Sequence, residues 1–268
     1  MHSRASRPAF WLIAAAVAIA AGVLVPTTVI ASAGAAESTK DKTVQRFEPE
    51  HWATITRTPE GYYYDAGQQN THLVVTEVKR GLRFADRNTN VLRHKPDSCN
   101  RKKAKVGLVV ICRVPGDIST SNPFRVKVFT RLGNDYVNTR ALRPAFRLYG
   151  LADKGDDTFI GGPGNDFING APGRDHLRGG SGNDWIRGGK QHDVLLGGGG
   201  NDQLVGQDGA DRVRGSSGKD RVGGGPGDDK LYAGENTDFV LCHSGFDRVN
   251  AQREDRVTLA ECERVEYA

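Results

Sequence analysis

The stretch Gly161-Gly162-Pro163-Gly164-Asn165-Asp166-Phe167-Ile168-Asn169 decides the fold, because its form recurs every nine residues along the chain. A second copy runs from Gly179 to Arg187, with Asp184 at its sixth position. Both have the form Gly-Gly-x-Gly-x-Asp-x-U-x, where U is a large aliphatic residue, and its residues are numbered below as positions 1 to 9. Self-similarity at a fixed period indicates a solenoid whose units stack on one another.

An aspartate stands at position 6 of eleven consecutive units, and a bulky apolar residue follows it at position 8. The aspartates are Asp157, Asp166, Asp175, Asp184, Asp193, Asp202, Asp211, Asp220, Asp229, Asp238 and Asp247. Two units supply one coil of eighteen residues with a strand on each side, so stacked coils form two parallel sheets with strands about 4.8 Å apart. Aspartates eighteen residues apart then form one column on each edge of the solenoid.

The two columns of aspartates predict bound cations. Adjacent bare carboxylates at this spacing repel by about 1 kcal/mol in water, and by about 3–4 kcal/mol at an effective dielectric of ~20. Carboxylates and the backbone carbonyls of glycine turns form an all-oxygen set, which suits Ca²⁺ because it accepts irregular ligand shells. Mg²⁺ fits less well, since it requires near-ideal octahedra and retains its waters.

The units resemble the RTX (hemolysin-type) calcium-binding nonapeptide repeat family, and the chain is similar to the small calcium-binding proteins of that family that bacteria export. The resemblance implies an all-β fold, a right-handed parallel β-roll, with each calcium between consecutive turns of one edge. It also implies a roll that is unfolded without metal and folds when calcium binds after export. Eleven units allow at most nine such pairings.

The candidate calcium ligands are the eleven aspartates and the glycines of the three most complete units. These glycines are Gly161, Gly162, Gly164, Gly179, Gly180, Gly182, Gly197, Gly198 and Gly200. Because the three units also carry Asn before Asp, we expect the tightest calcium binding on the edge of the solenoid that holds Asp166, Asp184 and Asp202.

Two units depart from the pattern. Gln191-His192 and Asn236-Thr237 replace the Gly-x pair before Asp193 and Asp238, so weaker sites are expected there. His192 itself is either a metal ligand or a solvent-facing turn substitution.

The balance of charged residues and the glycine content both change near Tyr149. Residues 37–148 hold 21 Lys/Arg against 11 Asp/Glu, whereas residues 149–268 hold 14 against 21, so a basic part precedes an acidic one. Five domains or segments are predicted: a signal peptide (1–36), a flexible leader (37–50), a basic N-terminal antiparallel β cap or small β-domain (51–148), the β-roll (149–250) and a C-terminal cap (251–268). In the cap, Asp-Arg-Val and Glu-Arg-Val recur at a step of eight residues.

The first segment predicts secretion. Arg4 and Arg7 precede an apolar run and an Ala-x-Ala site, as in a secretory signal peptide; the alternative is an uncleaved membrane anchor. No second apolar segment follows, so no membrane span is expected in the mature protein. Four cysteines suit an oxidising compartment, and proximity favours the pairs Cys99–Cys112 and Cys242–Cys262.

The basic N-terminal region has two interpretations. It either only caps the first coil, or it binds an anionic cell-surface polymer through the cluster Arg101-Lys102-Lys103-Ala104-Lys105, which is expected to form a loop between Cys99 and Cys112. Phe167, Trp185 and Phe239 share one outer face, which fits either a glycan platform or cross-strand packing.

No enzymatic role is predicted. The chain lacks both His-Glu-x-x-His and Gly-x-Ser-x-Gly, the motifs of the zinc protease and the lipase that such repeats often follow. The expected protein is therefore a non-enzymatic structural or surface-interaction protein. One alternative is a calcium-dependent adhesin or a module that binds an anionic polymer or glycan through the basic N-terminal region, and the other is an enzyme with an unrecognised N-terminal activity. No specific nucleic-acid partner is expected, and the sequence leaves the oligomeric state undetermined.

Overall fold

The computed structural model describes residues 52–67, 70–79, 81–89, 91–258 and 261–268. The predicted signal peptide and leader lie outside these described residues. Within them the chain is all-β and forms two long sheets, as expected from the period of the repeats.

The strands alternate between the two sheets through the repeat region. In chain order they are β1 (Trp52–Thr58), β2 (Gly61–Ala66), β3 (His72–Val78), β4 (Gly81–Asp86), β5 (Val91–His94), β6 (Cys99–Lys102), β7 (Leu108–Arg113), β8 (Phe124–Phe129), β9 (Tyr136–Asn138), β10 (Phe146–Leu151), β11 (Thr158–Ile160), β12 (Phe167–Pro172), β13 (His176–Ser181), β14 (Trp185–Lys190), β15 (Val194–Gly199), β16 (Gln203–Asp208), β17 (Arg212–Ser217), β18 (Arg221–Gly223), β19 (Lys230–Glu235), β20 (Phe239–Leu241), β21 (Arg248–Ala251), β22 (Arg256–Val257) and β23 (Arg264–Tyr267).

Each coil of the solenoid contributes one strand to each sheet. The first sheet has the order β22-β20-β18-β16-β14-β12-β10-β8-β2-β1-β5, and the second has the order β23-β21-β19-β17-β15-β13-β11-β9-β3-β4-β7-β6. Strands from β8 to β21 pair in parallel, and from β10 and β11 onward partners are eighteen residues apart, as with Phe167 and Trp185. The expected parallel β-roll is confirmed.

The N-terminal strands continue the same two sheets. β2 and β3 pair in parallel with β8 and β9, so they form a coil of their own, and residues 79–123 are inserted after it. β1 pairs antiparallel with β2, and β4, β7 and β6 pair antiparallel next to β3. The expected antiparallel N-terminal strands are therefore confirmed. The predicted boundary near Tyr149 stays a prediction, and both sheets cross it without a break.

The core lies between the two sheets. Position-8 residues of the repeats point inward and are buried, because side chains alternate between the faces of a strand. Phe159, Ile168 and Ile186 are examples, each 0% exposed. At the N-terminal end the same core is filled by larger rings, including Tyr62 and Tyr64.

One disulfide lies near each end of the solenoid. Cys99 and Cys112 lie directly opposite each other on β6 and β7, and Cys242 is bonded to Cys262. Both predicted pairs are confirmed. The basic cluster after Cys99 is partly strand β6 rather than wholly a loop, because its backbone pairs with β7. In the C-terminal cap, β22 and β23 extend the two sheets at shorter steps of 17 and 16 residues.

Candidate metal centre

The position-6 aspartates form two buried columns, one on each edge of the roll. All are at most 4% exposed, although carboxylates are rarely buried without partners. In both columns, Oδ1 of one aspartate accepts a hydrogen bond from the backbone N–H of the aspartate one coil earlier, at 2.7–2.9 Å. The side chains are therefore held in fixed positions by the backbone of the neighbouring coil.

The second carboxylate oxygen has no hydrogen-bond partner in most members of the columns. Among the described residues, the buried side-chain atoms without a partner are Thr130 Oγ1 and the Oδ2 atoms of Asp135, Asp157, Asp175, Asp184, Asp193, Asp202, Asp211, Asp220, Asp229, Asp238 and Asp247. Buried polar atoms in folded proteins are nearly always satisfied, so a repeated exception indicates an ion or another missing partner. The Oδ2 atoms are thus unsatisfied by the described protein groups.

Glycine at position 1 makes room for these oxygens. A β-carbon on Gly197 would lie 2.2 Å from Asp202 Oδ2 and 2.8 Å from the carbonyl oxygen of Gly215. The same two neighbours, an aspartate Oδ2 and the position-1 carbonyl of the next coil, surround Gly188, where the distances are 2.4 and 2.6 Å. Carboxylate and carbonyl oxygens therefore face the same small space beside Gly188 and Gly197.

Glycines at positions 2 and 4 serve the stacking of coils. Gly180 and Gly182 have φ angles of 124° and 105°, which side chains rarely adopt, and their α-carbons lie against the carbonyls of Gly162 and Gly164. The predicted ligand glycines thus lie along the two columns, and their role in binding metal stays a prediction. Sequence reasoning omitted other position-1 glycines, such as Gly188, although the nine-residue period places one five residues before most of the aspartates.

Burial raises the pKa of every aspartate in the columns, and neighbouring carboxylates add to the effect for many of them. The pKa rises to about 8 for Asp157, Asp184 and Asp193, to about 7 for Asp135, Asp166, Asp202 and Asp229, and to about 6 for Asp175, Asp211 and Asp238. It is also raised for Asp220 and Asp247. Hydrogen bonds to the backbone oppose this shift. A cation beside Oδ2 would favour the ionised form of each group.

Asp166 differs from the other aspartates of its column. Its Oδ1 accepts from the backbone N–H of Leu148, and its Oδ2 accepts from the N–H of Gly162 at 2.8 Å. Both oxygens are therefore satisfied without metal. The ligand role predicted for Asp166 stays a prediction, and it would require Gly162 to give up its hydrogen bond.

At the C-terminal end, each column ends at an acidic residue whose carboxylate accepts a backbone hydrogen bond. Asp255 Oδ1 accepts from the N–H of Asp238, and its Oδ2 accepts from Gln252. Glu263 accepts from the N–H of Asp247 in the other column. Asp255 thus has no free oxygen, and the C-terminal cap stays a prediction.

Position 5 forms a second, exposed ladder of hydrogen bonds. Asn165 Oδ1 accepts from the N–H of Asn183, and Asn183 Oδ1 accepts from the N–H of Asn201. At the same position, His192 Nδ1 accepts from the N–H of Ala210 at 2.8 Å. This contact favours the interpretation of His192 as a turn substitution, because its Nδ1 lone pair is already used.

The oxygen donors around the columns fit calcium better than a transition metal. Within the described ranges, no three His, Cys, Asp or Glu side chains are grouped so that they could hold a metal by themselves. In units such as those of Gly188 and Gly197, the groups that do converge are one carboxylate oxygen and one glycine carbonyl, and hard oxygen ligands of this type suit Ca²⁺. Asp184, Asp202 and their counterparts on the other edge would hold the ions.

Fold and site together define a calcium-binding β-roll. Residues 151–177, 169–204 and 205–240 match the family model described as RTX calcium-binding nonapeptide repeat (4 copies). Residues 151–240 therefore carry repeats of the RTX calcium-binding nonapeptide type. No curated protein and no solved structure matches the chain.

Tyr149, Phe167 and Trp185 contact one another on the outer face, whereas the Phe239 ring lies under the Arg221 guanidinium. Tyr149 stacks on Phe167 with ring centroids 4.8 Å apart, and Phe167 meets Trp185 edge to face at 5.1 Å. The contacts favour cross-strand packing over a glycan platform, because the rings cover part of each other's faces.

The described residues include no helix that could cross a membrane.

Proposed function

We propose that this protein is a secreted, non-enzymatic calcium-binding protein whose repeats fold into the β-roll when they bind Ca²⁺ after export. The buried aspartate oxygens without hydrogen-bond partners carry this proposal. Each ionised carboxylate would be costly to bury alone, and a calcium ion shared between coils would offset that cost. Up to nine ions would bind between the eleven predicted aspartates.

Secretion is supported by chemistry in the described part of the chain. Both disulfides, Cys99–Cys112 and Cys242–Cys262, require an oxidising compartment to form and persist. Calcium is abundant outside cells and scarce inside them, so folding would follow export. A roll of this kind has a structural role or presents a surface to a partner.

Far-UV circular dichroism and calorimetry of the exported, disulfide-bonded protein test the proposal. Calcium should produce a gain of β signal and bind at several sites per chain, and EGTA should reverse both effects. Equimolar Mg²⁺ is the control and should produce little change. An unchanged spectrum at 10 mM calcium would show that the proposal is wrong.

A second candidate function is binding of an anionic partner by the N-terminal strands. A cavity of about 810 Å³ lies on the outer side of β4 and β7. The cations that line it are Arg83, Arg87, Lys102, Lys103 and Lys105, and its apolar lining includes Val109 and Ile111. Its one carboxylate, Asp86, accepts hydrogen bonds from Tyr64 and Thr89 and is 2% exposed.

The cavity therefore presents several cations and no exposed acid. We expect it to bind a polyanion such as heparin or teichoic acid, because a concentrated positive surface attracts such chains. The variant Lys102→Gln/Lys103→Gln/Lys105→Gln should bind these polymers more weakly. Lys154→Gln/Lys190→Gln/Lys219→Gln removes the same charge elsewhere and is the matched control. Equal losses in the two variants would indicate attraction by net charge alone.

A further inference from the structure

Asp135 occupies the start of the first column, outside the recognised repeats. Its backbone N–H donates to Asp157 Oδ1 at 2.7 Å, as each later aspartate does to its neighbour. β9, which follows Asp135, pairs in register with β11, with Tyr136 opposite Thr158. Asp135 and Asp157 are 22 residues apart, four more than the 18 of a regular coil, and the column of aspartates nevertheless continues through both.

The turn before Asp135 has the geometry of a repeat. Gly133, at position 4, has a φ of 127°, and its carbonyl oxygen lies against Gly155 of the next coil. Asn134 Oδ1 accepts from the N–H of Asp156 at 3.0 Å, which continues the position-5 ladder. The local backbone around Asp135 is thus that of a repeat unit.

Asp135 also has the free oxygen found in the other units. It is 2% exposed, its Oδ1 accepts from the N–H of Thr71, and its Oδ2 has no hydrogen-bond partner. Thr130 stands at position 1, where the repeats carry glycine, and its N–H donates to the carbonyl of Leu151 as Gly161 N–H donates to Arg178. Thr130 Oγ1 is likewise buried and makes no hydrogen bond of ordinary geometry, but it lies close to the Asp135 carboxylate.

We propose that Asp135 and Thr130 contribute to a further calcium site, at the junction of the N-terminal strands and the roll. The inference rests on the proposed calcium function, and it places one site outside residues 151–240. Asp135 Oδ2 would be the anionic ligand, and the Thr130 hydroxyl would supply an oxygen where the repeats have only a glycine α-carbon. Because Thr71 donates to Asp135 immediately before β3, the ion would fix the first coil to the rest of the column.

Asp135→Asn is the first test, because asparagine keeps the Oδ1 acceptor and replaces the free Oδ2 by an amide nitrogen. Native mass spectrometry should count one calcium ion fewer than in the full-length wild-type protein. Hydrogen exchange should show that calcium no longer protects residues 130–139 while residues 176–222 stay protected. Asp255→Asn is the matched control and should lose no ion, since both oxygens of Asp255 already accept backbone hydrogen bonds.

Thr130→Val and Thr130→Ser test the hydroxyl without removing a charge. Valine should lower calcium affinity at this site by about 10-fold, the order seen when support around a metal is removed, and serine should restore it. An unchanged ion count together with unchanged protection of residues 130–139 in Asp135→Asn would overturn the inference. If residues 176–222 of the wild type show no calcium dependence, the proposed function fails and the inference fails with it.

Discussion

The backbone N–H of Asp184 donates to Oδ1 of Asp202, one coil further along the chain, at 2.8 Å. This bond holds the Asp202 carboxylate in place and leaves its other oxygen beside Gly197 without a partner. One side chain therefore both joins two coils and presents a cation ligand. An asparagine could make the same hydrogen bond but would place an amide group where the free oxygen lies.

Asp184→Asn should weaken calcium-induced folding more than Asp238→Asn. Asp184 lies between units with complete glycine turns, whereas the acid after Asp238 is Asp255, which has no free oxygen. The calcium midpoint of folding, followed by circular dichroism, should rise by about 10-fold or more for Asp184→Asn. Similar midpoints for the two variants would contradict this ranking of the sites.

Gly197, at position 1, should not tolerate a β-carbon. Gly197→Ala would place one 2.2 Å from Asp202 Oδ2, and such overpacking costs about 1–3 kcal/mol. Gly199→Ala, in the same strand, has its nearest neighbour at 3.6 Å and is the matched control. Urea unfolding in saturating calcium should separate the two variants. A loss of stability in Gly199→Ala as large as that in Gly197→Ala would refute the steric explanation.

The calcium-free roll should be more stable at pH 5 than at pH 8.5. Burial raises the pKa of the column carboxylates above the value of about 3.9 in the unfolded chain, and the pKa reaches about 6 for Asp175 and about 8 for Asp184 and Asp193. Raised values favour the protonated form in the folded state, so the stability from these groups is complete below about pH 3.9 and is lost as pH rises through 6–8.

Far-UV circular dichroism of protein freed of metal on a chelating resin checks this dependence, because the fraction of folded roll should fall as pH rises from 5 to 8.5. Saturating calcium should reverse the dependence, because binding requires ionised carboxylates. An equal β signal at pH 5 and pH 8.5 without metal would contradict the prediction.

Removal of the second disulfide should loosen only the C-terminal cap. Cys242 and Cys262 close a loop of 20 residues, for which the chain-entropy model gives about 3 kcal/mol. In Cys242→Ala/Cys262→Ala, residues 248–268 should exchange amide hydrogens faster while residues 176–222 keep their protection. Faster exchange throughout the roll would show instead that the cap stabilises every coil.

Local sequence patterns accounted for the roll but not for its first coil. The spacing of Asp157, Asp175 and later aspartates predicted parallel strands and two columns, since the contacts involved repeat at one fixed separation. No sequence pattern predicts β4, β5 and β6, and the basic cluster that overlaps β6 is expected as a loop. Pairing of β2 with β8 joins residues more than sixty positions apart across an insertion, and no periodicity marks such a contact.

The sequence by itself determined the class of the fold, the inward aliphatic residues, the aspartate columns and the choice of calcium. It could do so because a nine-residue period specifies both which residues stack and which chemistry recurs. Only the tertiary structure decided which carboxylate oxygens are free. Asp166 and Asp135 have similar local sequences. The N–H of Gly162 donates a hydrogen bond to Oδ2 of Asp166, whereas Oδ2 of Asp135 has no hydrogen-bond partner. That difference depends on where neighbouring coils place their backbone N–H groups, which the sequence pattern alone does not specify.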